Sequence, residues 1–225
     1  TGAEGFFRTA TKPVLALQTE EGHRLRLTEA HRVRRVSRMT RWSLDTEWCA
    51  AGALQPGDRV LLNDHRANAQ WSGALTVEQG YLLGMLVGDG TLKRDAAVLS
   101  VWPQAAVVNG STNGGARALM AETLRCAQTL PHRADFAGWS EVTGRGEFRM
   151  KSAALRDLAF ELGMTAGDKA ITPALEQASS EAYRGFLRGF FDADGSVQGS
   201  QAKGVSVRLA QSDLPRLEAV QRMLL

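Results

Sequence analysis

The chain has 225 residues, 44% of them hydrophobic, and carries 27 Lys and Arg against 24 Asp and Glu for a net charge of +3. That length supports one large or two small domains with their own cores, and the composition excludes global disorder. No stretch approaches the roughly 18 uninterrupted apolar residues of a membrane helix, and the opening TGAEGFFRTA lacks the apolar core of a signal peptide; a cytoplasmic protein with no membrane partner is expected.

The two cysteines, Cys49 and Cys126, are far apart, without CxxC spacing or clustered histidines. Two buried thiols are therefore expected, not a disulfide framework or a zinc site. Positive charge is in excess only over residues 1–66 (11 basic, 8 acidic) and balances at 16 and 16 beyond. Charge alone argues weakly for a nucleic-acid partner, so patterning has to carry the case.

Taken in chain order, the first 65 residues read as a small β-rich unit. VLALQT, the turn Glu20-Glu21-Gly22 and HRLRL, with Leu25 and Leu27 alternating against His23, Arg24 and Arg26, predict a hairpin. Trp48 to Leu54 leads into the turn signal Gln55-Pro56-Gly57-Asp58 and then a candidate strand, Arg59 to Leu62. Residues 65–75 have no clear period and read as a linker.

At Thr76 the pattern becomes helical. Thr76 and Gln79 form a capping-box signature, and the helix runs to Val87 before Gly88-Asp89-Gly90. A strand around Ala96 to Trp102, a loop at 109–115 and a helix near Ala116 to Leu130 are predicted next. Strands near Phe136 to Thr143 and Gly146 to Lys151, joined by Gly144-Arg145, lead into a helix capped by Ser152 and stopped by Gly163.

A second cap, Ser179-Ser180, then opens a helix ending in Asp192-Ala193-Asp194-Gly195. Strands Ser196 to Ser200 and Val205 to Gln211 follow. A last helix starts at Ser212-Asp213-Leu214-Pro215 and carries the apolar stripe Leu214, Leu217, Val220, Leu224.

The two helix ends align. Leu82 to Gly90 and Leu187 to Gly195 place Asp89 and Asp194 105 positions apart. Gly84 with Gly88, and Gly189 with Ala193, put two small residues on one helical face a turn apart, so that two backbones can approach closely. Each helix ends in an aspartate followed by a glycine suited to the left-handed cap. A carboxylate at a helix C-terminus costs about 0.3 to 1 kcal/mol. Two such ends side by side make physical sense around a divalent cation.

Residues 76–225, with LRGFFDADG as the stronger motif copy, resemble the LAGLIDADG (DOD-type) homing endonucleases. The resemblance implies two similar αββαββα halves, about 76–164 and 179–225, related by a pseudo-twofold axis, the second half incomplete. It implies that Gly84, Gly88, Gly189 and Ala193 line the helix interface and that Asp89 and Asp194 bind metal. The first copy departs from the motif at Leu83 and Val87, neither of which is the metal-binding position. Asp168 to Pro173 is similar to the family's lysine-containing segment, and Lys169 is expected to supply positive charge at the scissile phosphate. On the strands, EFRMK and VSVRLAQ alternate so that Arg149, Lys151 and Arg208 are expected to face DNA.

The run from KPVLALQ to EAH, with EWCAAGALQPGDRVLL, resembles the splicing domain of inteins, the Hedgehog/intein (Hint) β-fold, and is similar to inteins housed in bacterial ribonucleotide reductases. Thr28 and His31 match that family's T-x-x-H element, whose histidine assists the upstream splice junction. The chain lacks the family's first segment with its nucleophile and its terminal His-Asn, so this fragment is not expected to splice.

The expectation as a whole is an α+β chain. A partial Hint domain (1–65) precedes a LAGLIDADG endonuclease domain (66–225), a monomer that cleaves a long double-stranded DNA target with magnesium and derives from an intein within a host protein. A non-catalytic DNA-binding module on the same fold, or a splicing element with a decayed nuclease, are the alternatives.

Overall fold

The computed structural model describes residues 11–62, 71–103, 114–200 and 202–225. Most of the expected linker (65–70) and most of the expected loop (109–113) lie outside the described residues. The chain mixes α and β structure and divides into two units, Thr1–Asp64 and His65–Leu224.

In the first unit, β1 (Leu15–Gln18) pairs antiparallel with β2 (Arg24–Leu27), Leu15 opposite Leu27, across a turn where Gly22 adopts φ +91°. β3 (Arg32–Met39) pairs with β4 (Leu44–Ala50), Arg32 opposite Ala50, with an irregularity between Val36 and Arg38. The apolar residues of β3 recur every third position, which is why no alternation announced it. The strand expected at Arg59 to Leu62 shrinks to a single bridge between Val60 and Arg35. Arg59 O, accepting from Val36 N, and Leu61 N, donating to Arg34 O, reach the ladder, each at 2.8 Å. Among the unit's described hydrophobic residues only Leu27 and Ala51 are buried, while Leu15, Leu25, Leu44, Leu61 and Leu62 are exposed.

The second unit is organised around two helices, α1 (Val77–Val87) and α5 (Ser180–Asp194). Thr76 caps α1 with the full reciprocal capping box, its hydroxyl accepting from Gln79 N while the Gln79 side chain accepts from the Thr76 amide. Ser179 caps α5, accepting from Ala182 N. From Tyr81 to Val87 every residue of α1 is buried, the mark of a helix enclosed on all sides.

The helices meet through their glycines. A Cβ on Gly84 would overlap Phe186 O, and one on Gly189 would overlap Tyr81 O; Gly80 stands likewise against Ala182 O, and Gly185 against Val77 O. Each pair of contacts maps onto the other by the same 105-residue step. Backbone thus lies on backbone, and any side chain at these positions would push the helices apart.

Their starts are also fastened together. The Trp71 indole N–H donates to Ala178 O, Ser180 N donates to Trp71 O at 3.2 Å, and the Ser179 hydroxyl donates to Leu75 O. Trp71 packs edge-on against Tyr183 with centroids 5.0 Å apart. Residues 71–75 are therefore docked, whereas their lack of period had suggested a linker.

A four-stranded antiparallel sheet flanks α1 in the order β5 (Thr91–Leu92), β6 (Ala97–Val101), β8 (Glu147–Ser152), β7 (Trp139–Val142). Between β6 and β7 lies α2 (Gly114–Ala127), and after β8 comes α3 (Ala153–Glu161), capped by Ser152 accepting from Leu155 N. α3 stops at Gly163, φ +85°, with Met164 N returning to Ala159 O at 3.0 Å. A short α4 (Pro173–Glu176) precedes α5.

After α5, β9 (Gly195–Ser200) and β10 (Gly204–Leu209) form a hairpin with Val205 opposite Gly199, and α6 (Leu214–Leu224) follows. The stripe expected on α6 is only partly buried. Val220 is in the core with Ala219 and Met223, but Leu214 and Leu224 are exposed, because the helix docks along one narrow line.

The cap expectation also needs correction. Gly195 has φ −81° and ψ 163°, and Gly90 is not among the positive-φ glycines. After α5 the chain runs extended straight into β9, whereas after α1 it makes a turn through Gly88 and Asp89, closed by Gly90 N donating to Leu86 O at 3.2 Å, before β5. Glycine is required there by space, since a Cβ on Gly90 would strike Leu86 and one on Gly195 would strike Phe191 O.

Candidate functional site

Because the helix pair is in contact along its length, its two carboxyl ends arrive together. Gly88 faces Ala193, and Asp194 Oδ2 lies 3.3 Å from where a Gly88 Cβ would stand, one residue from Asp89. The two acids feel each other electrostatically. Asp89 is pushed above the usual carboxylate range, first by loss of water around the carboxyl and then by the negative charge of Asp194, with Lys169 pulling the other way.

Lys169 reaches this point from the segment after α3. Its ammonium donates to Gly88 O at 2.5 Å and to Gly90 O at 2.7 Å, the two carbonyls that bracket Asp89. It thus sits on the negative end of the α1 dipole. Burial pushes its pKa below the ordinary lysine value and Arg216 adds to that, while Asp194 and Asp89 oppose.

Two residues that sequence reasoning missed complete the cluster. The Gln211 side-chain amide donates to Asp194 Oδ2 from just beyond β10. Arg216, on the first turn of α6, donates to Gln211 Oε1 at 3.4 Å and lies 3.7 Å from Asp213, while its Nε is a buried donor with no hydrogen-bond partner among the described residues. A buried, unpartnered guanidinium N–H on a residue that shares Gln211 with Asp194 and whose charge is felt by Lys169 is a costly arrangement for a resting protein. It suits a site that receives an anion. No local signal marks them: both lie beyond the end of β10 at Leu209, and only the fold brings Gln211 to Asp194 and Arg216 to Gln211.

The glycine face is longer than expected. Gly84, Gly88, Gly189 and Ala193 all lie at the helix contact, and Gly80 and Gly185 extend it one turn toward the helix starts. The signal was the continued four-residue spacing in both copies.

The residues expected to face DNA differ among themselves. Glu147, Arg149 and Lys151 share one face of β8. Arg149 is clasped by Glu147, Nε to Oε1 at 2.6 Å and Nη2 to Oε2 at 3.0 Å. Glu147 is buried and its carboxyl is held below the usual range, mainly by that bond. Lys151 is exposed beside it, and Arg208 is exposed on β10 with its Nε donating to Ser206 Oγ at 3.2 Å. Thr28 is half-buried and His31 exposed, in a turn closed by His31 N donating to Thr28 O at 3.0 Å. Cys126 is buried as expected, but Cys49, on β4, is only partly so.

Among the described residues no group of three or more His, Cys, Asp or Glu converges as a ready metal cage. No helix among them is long and apolar enough to cross a membrane.

A family model described as a LAGLIDADG-like domain matches residues 181–225, which span α5 with Asp194, the β9–β10 hairpin and α6. The match supports a module of homing-endonuclease type in this part of the chain. The chain is also similar to ribonucleoside-diphosphate reductase NrdEB subunit alpha of Bacillus subtilis (strain 168) and to its counterpart in Bacillus phage SPbeta. Each is 22% identical over 219 residues, covering 94% of this chain and 19% of the relative. The chain therefore spans about a fifth of the length of these curated relatives.

Proposed function

We propose that this chain is the homing endonuclease of an intein, with part of its splicing domain, carried within a ribonucleotide reductase host, and that it hydrolyses double-stranded DNA at a long target site. The observation that carries the reading is the convergence of Asp89 and Asp194, 105 residues apart in sequence, at the paired ends of α1 and α5. The LAGLIDADG-like match over one of the two ends supports it, and the reductase relatives fit an inserted element. The reciprocal glycine contacts support two halves related by a pseudo-twofold axis.

The donor set fits magnesium. Two carboxylates and no softer ligand suit a hard cation that keeps several waters and binds through one or two protein carboxylates plus substrate phosphate. When bound, the ion supplies an activated water and charge neutralisation at the phosphate.

The chain's own residues do the rest. Asp89 and Asp194 hold hard oxygen ligands at one point, and the Gln211 amide fixes the orientation of Asp194. Lys169 and Arg216 set two positive charges where an incoming phosphate gathers negative charge in the transition state. Lys151 and Arg208 contact the DNA backbone, and Arg149 does so only from within its pair with Glu147. In the first unit, Thr28 and His31 belong to the splicing element.

The test is cleavage of a plasmid bearing the uninterrupted host coding sequence. Magnesium-dependent linearisation by the intact protein, lost in Asp89→Asn and Asp194→Asn variants that still bind the plasmid, is expected. Equal cutting by those variants would refute the assignment.

A further inference from the structure

The first unit carries a surface that the nuclease chemistry does not use. β3 and β4 form a ribbon, bridged on the β3 side at Val60, whose exposed positions include Arg32 and Arg34 on one face and, past the irregularity after Val36, Arg38 on the other, with Arg41 and Trp42 at its tip. Two acids of this unit, Glu47 and Asp58, are both taken by Arg35, at 2.5 and 3.3 Å. Asp45 stands opposite Arg38 in the ladder. No ion pair among the described residues involves Arg32, Arg34, Arg38 or Arg41.

Tryptophan rings hold two of these cations. The Arg41 guanidinium lies 4.9 Å from the Trp42 ring centroid, and Arg34 lies 6.0 Å from Trp48 while its Nε donates to Thr46 Oγ1 at 2.8 Å. Arg32 donates to Trp48 O at 3.3 Å on the same face. Trp42 is 85% exposed and Trp48 58%. Large indoles left in solvent, each beneath an unneutralised guanidinium, are a poor solvated surface and a good anion-binding one.

We propose that this β3–β4 ribbon is a second contact surface for duplex DNA, gripping backbone phosphates through Arg32, Arg34, Arg38 and Arg41. Beyond the Val60 bridge the ribbon is two-stranded, with the width the major groove admits. Alternate residues of a strand stand about 7 Å apart, so Arg32 and Arg34 meet separate phosphates of a strand that rises about 3.4 Å per step. The stacked indoles keep the guanidiniums extended before binding, which lowers the ordering cost. The proposal shares DNA as partner with the nuclease reading but is independent of the chemistry at Asp89 and Asp194.

The test is titration of a labelled duplex with the intact chain at increasing KCl, without divalent metal. Removing one phosphate-binding cation should lower the slope of log K against log salt by about 0.9. Arg38→Gln with Arg41→Gln removes two side chains that make no hydrogen bond among the described residues, so the ribbon should keep its fold; a slope reduced by about 2 and affinity at least tenfold weaker are expected. Replacing all four arginines by glutamine should lower the slope by about 3 to 4, and replacing them by lysine should restore it. Binding should quench tryptophan emission in the intact chain, and less so in Trp42→Phe.

An unchanged slope in the Arg38/Arg41 variant overturns the proposal, as does a reduced slope in the all-lysine variant. A lower slope in the ribbon variants of a protein that never cuts would retain the ribbon and discard the nuclease. Cutting with an indifferent ribbon would do the reverse.

Discussion

Lys169 grips the peptide carbonyls on both sides of Asp89, so a cation whose charge acts on Asp89 is also the cap of the helix that delivers it. Structural and electrostatic roles are fused in one ammonium group. They can be separated, because a neutral donor can replace the first and not the second.

Lys169→Met leaves two carbonyls unpaired at a helix end and should lower stability by about 1 to 3 kcal/mol. Lys169→Gln retains donors and should recover much of that loss. Neither should cut DNA. Urea unfolding and plasmid cleavage, measured on both variants, check the separation; cutting by Lys169→Gln at the native rate would remove lysine from the chemistry.

Glycine-to-alanine substitutions should change sign with position. Helix propensity alone favours alanine by about 1 kcal/mol. At Gly84 or Gly189 the new methyl meets backbone of the facing helix, and a net loss of about 1 to 3 kcal/mol or more is expected. At Gly115, in the first turn of α2, nothing lies within 4 Å, and the same change should stabilise. Denaturation midpoints for the three variants test this, and a stabilising Gly84→Ala would mean that the helices are not in backbone contact.

The two thiols should behave differently. Cys126 is fully buried, and burial pushes its pKa from about 9 up to about 11. Cys49 is partly exposed. Alkylation of the native protein at about pH 8 should give one adduct, at Cys49, and two only after unfolding. The raised folded-state value also sets a sign. The thiol's contribution to stability is complete below the unfolded pKa and is lost as pH rises through about 11. Cys126→Ala should flatten that alkaline decline.

Arg149 and Lys151 sit on one strand face but should respond to different measurements. Arg149→Ala leaves the buried Glu147 carboxylate without its partner, so melting temperature should drop. Glu147 has a depressed pKa, so its contribution is present above the usual carboxylate range and lost as pH falls. The gap between wild type and Arg149→Ala should therefore close in acid. Lys151→Ala should leave melting unchanged and weaken DNA binding. The opposite pattern would exchange their roles.

Much of the second unit was legible because its elements announce themselves locally. The Thr76–Gln79 box, the Ser152 and Ser179 caps and the Gly163 stop are short-range chemistry, and each is present in the structure. The approach of Asp89 and Asp194 was legible from the doubled small-residue spacing. What was hidden depends on distant partners. Nothing near Arg149 in sequence reveals that Glu147 would be buried and claim it, and Gln211 and Arg216 acquire meaning only when α6 folds back beside Asp194. The first unit was least legible. β3 lacks alternation, and the bridge at Val60 exists only through Arg34 and Val36.

The clasp of Trp71 and Leu75 with Ala178, Ser179 and Ser180 has a mechanical result. It pins both long helices at their beginnings, while the acids ride at their far tips. An α5 of 15 residues is a rod about 22 Å long. Any tilt pivots at the pinned end, and a swing of only about 5° would carry a carboxylate about 2 Å, a displacement large enough to slow a positioned reaction a hundredfold. The seam of bare backbone between the rods therefore acts as a brake on leverage, with its greatest effect felt at the tips, where there is least clasp to help.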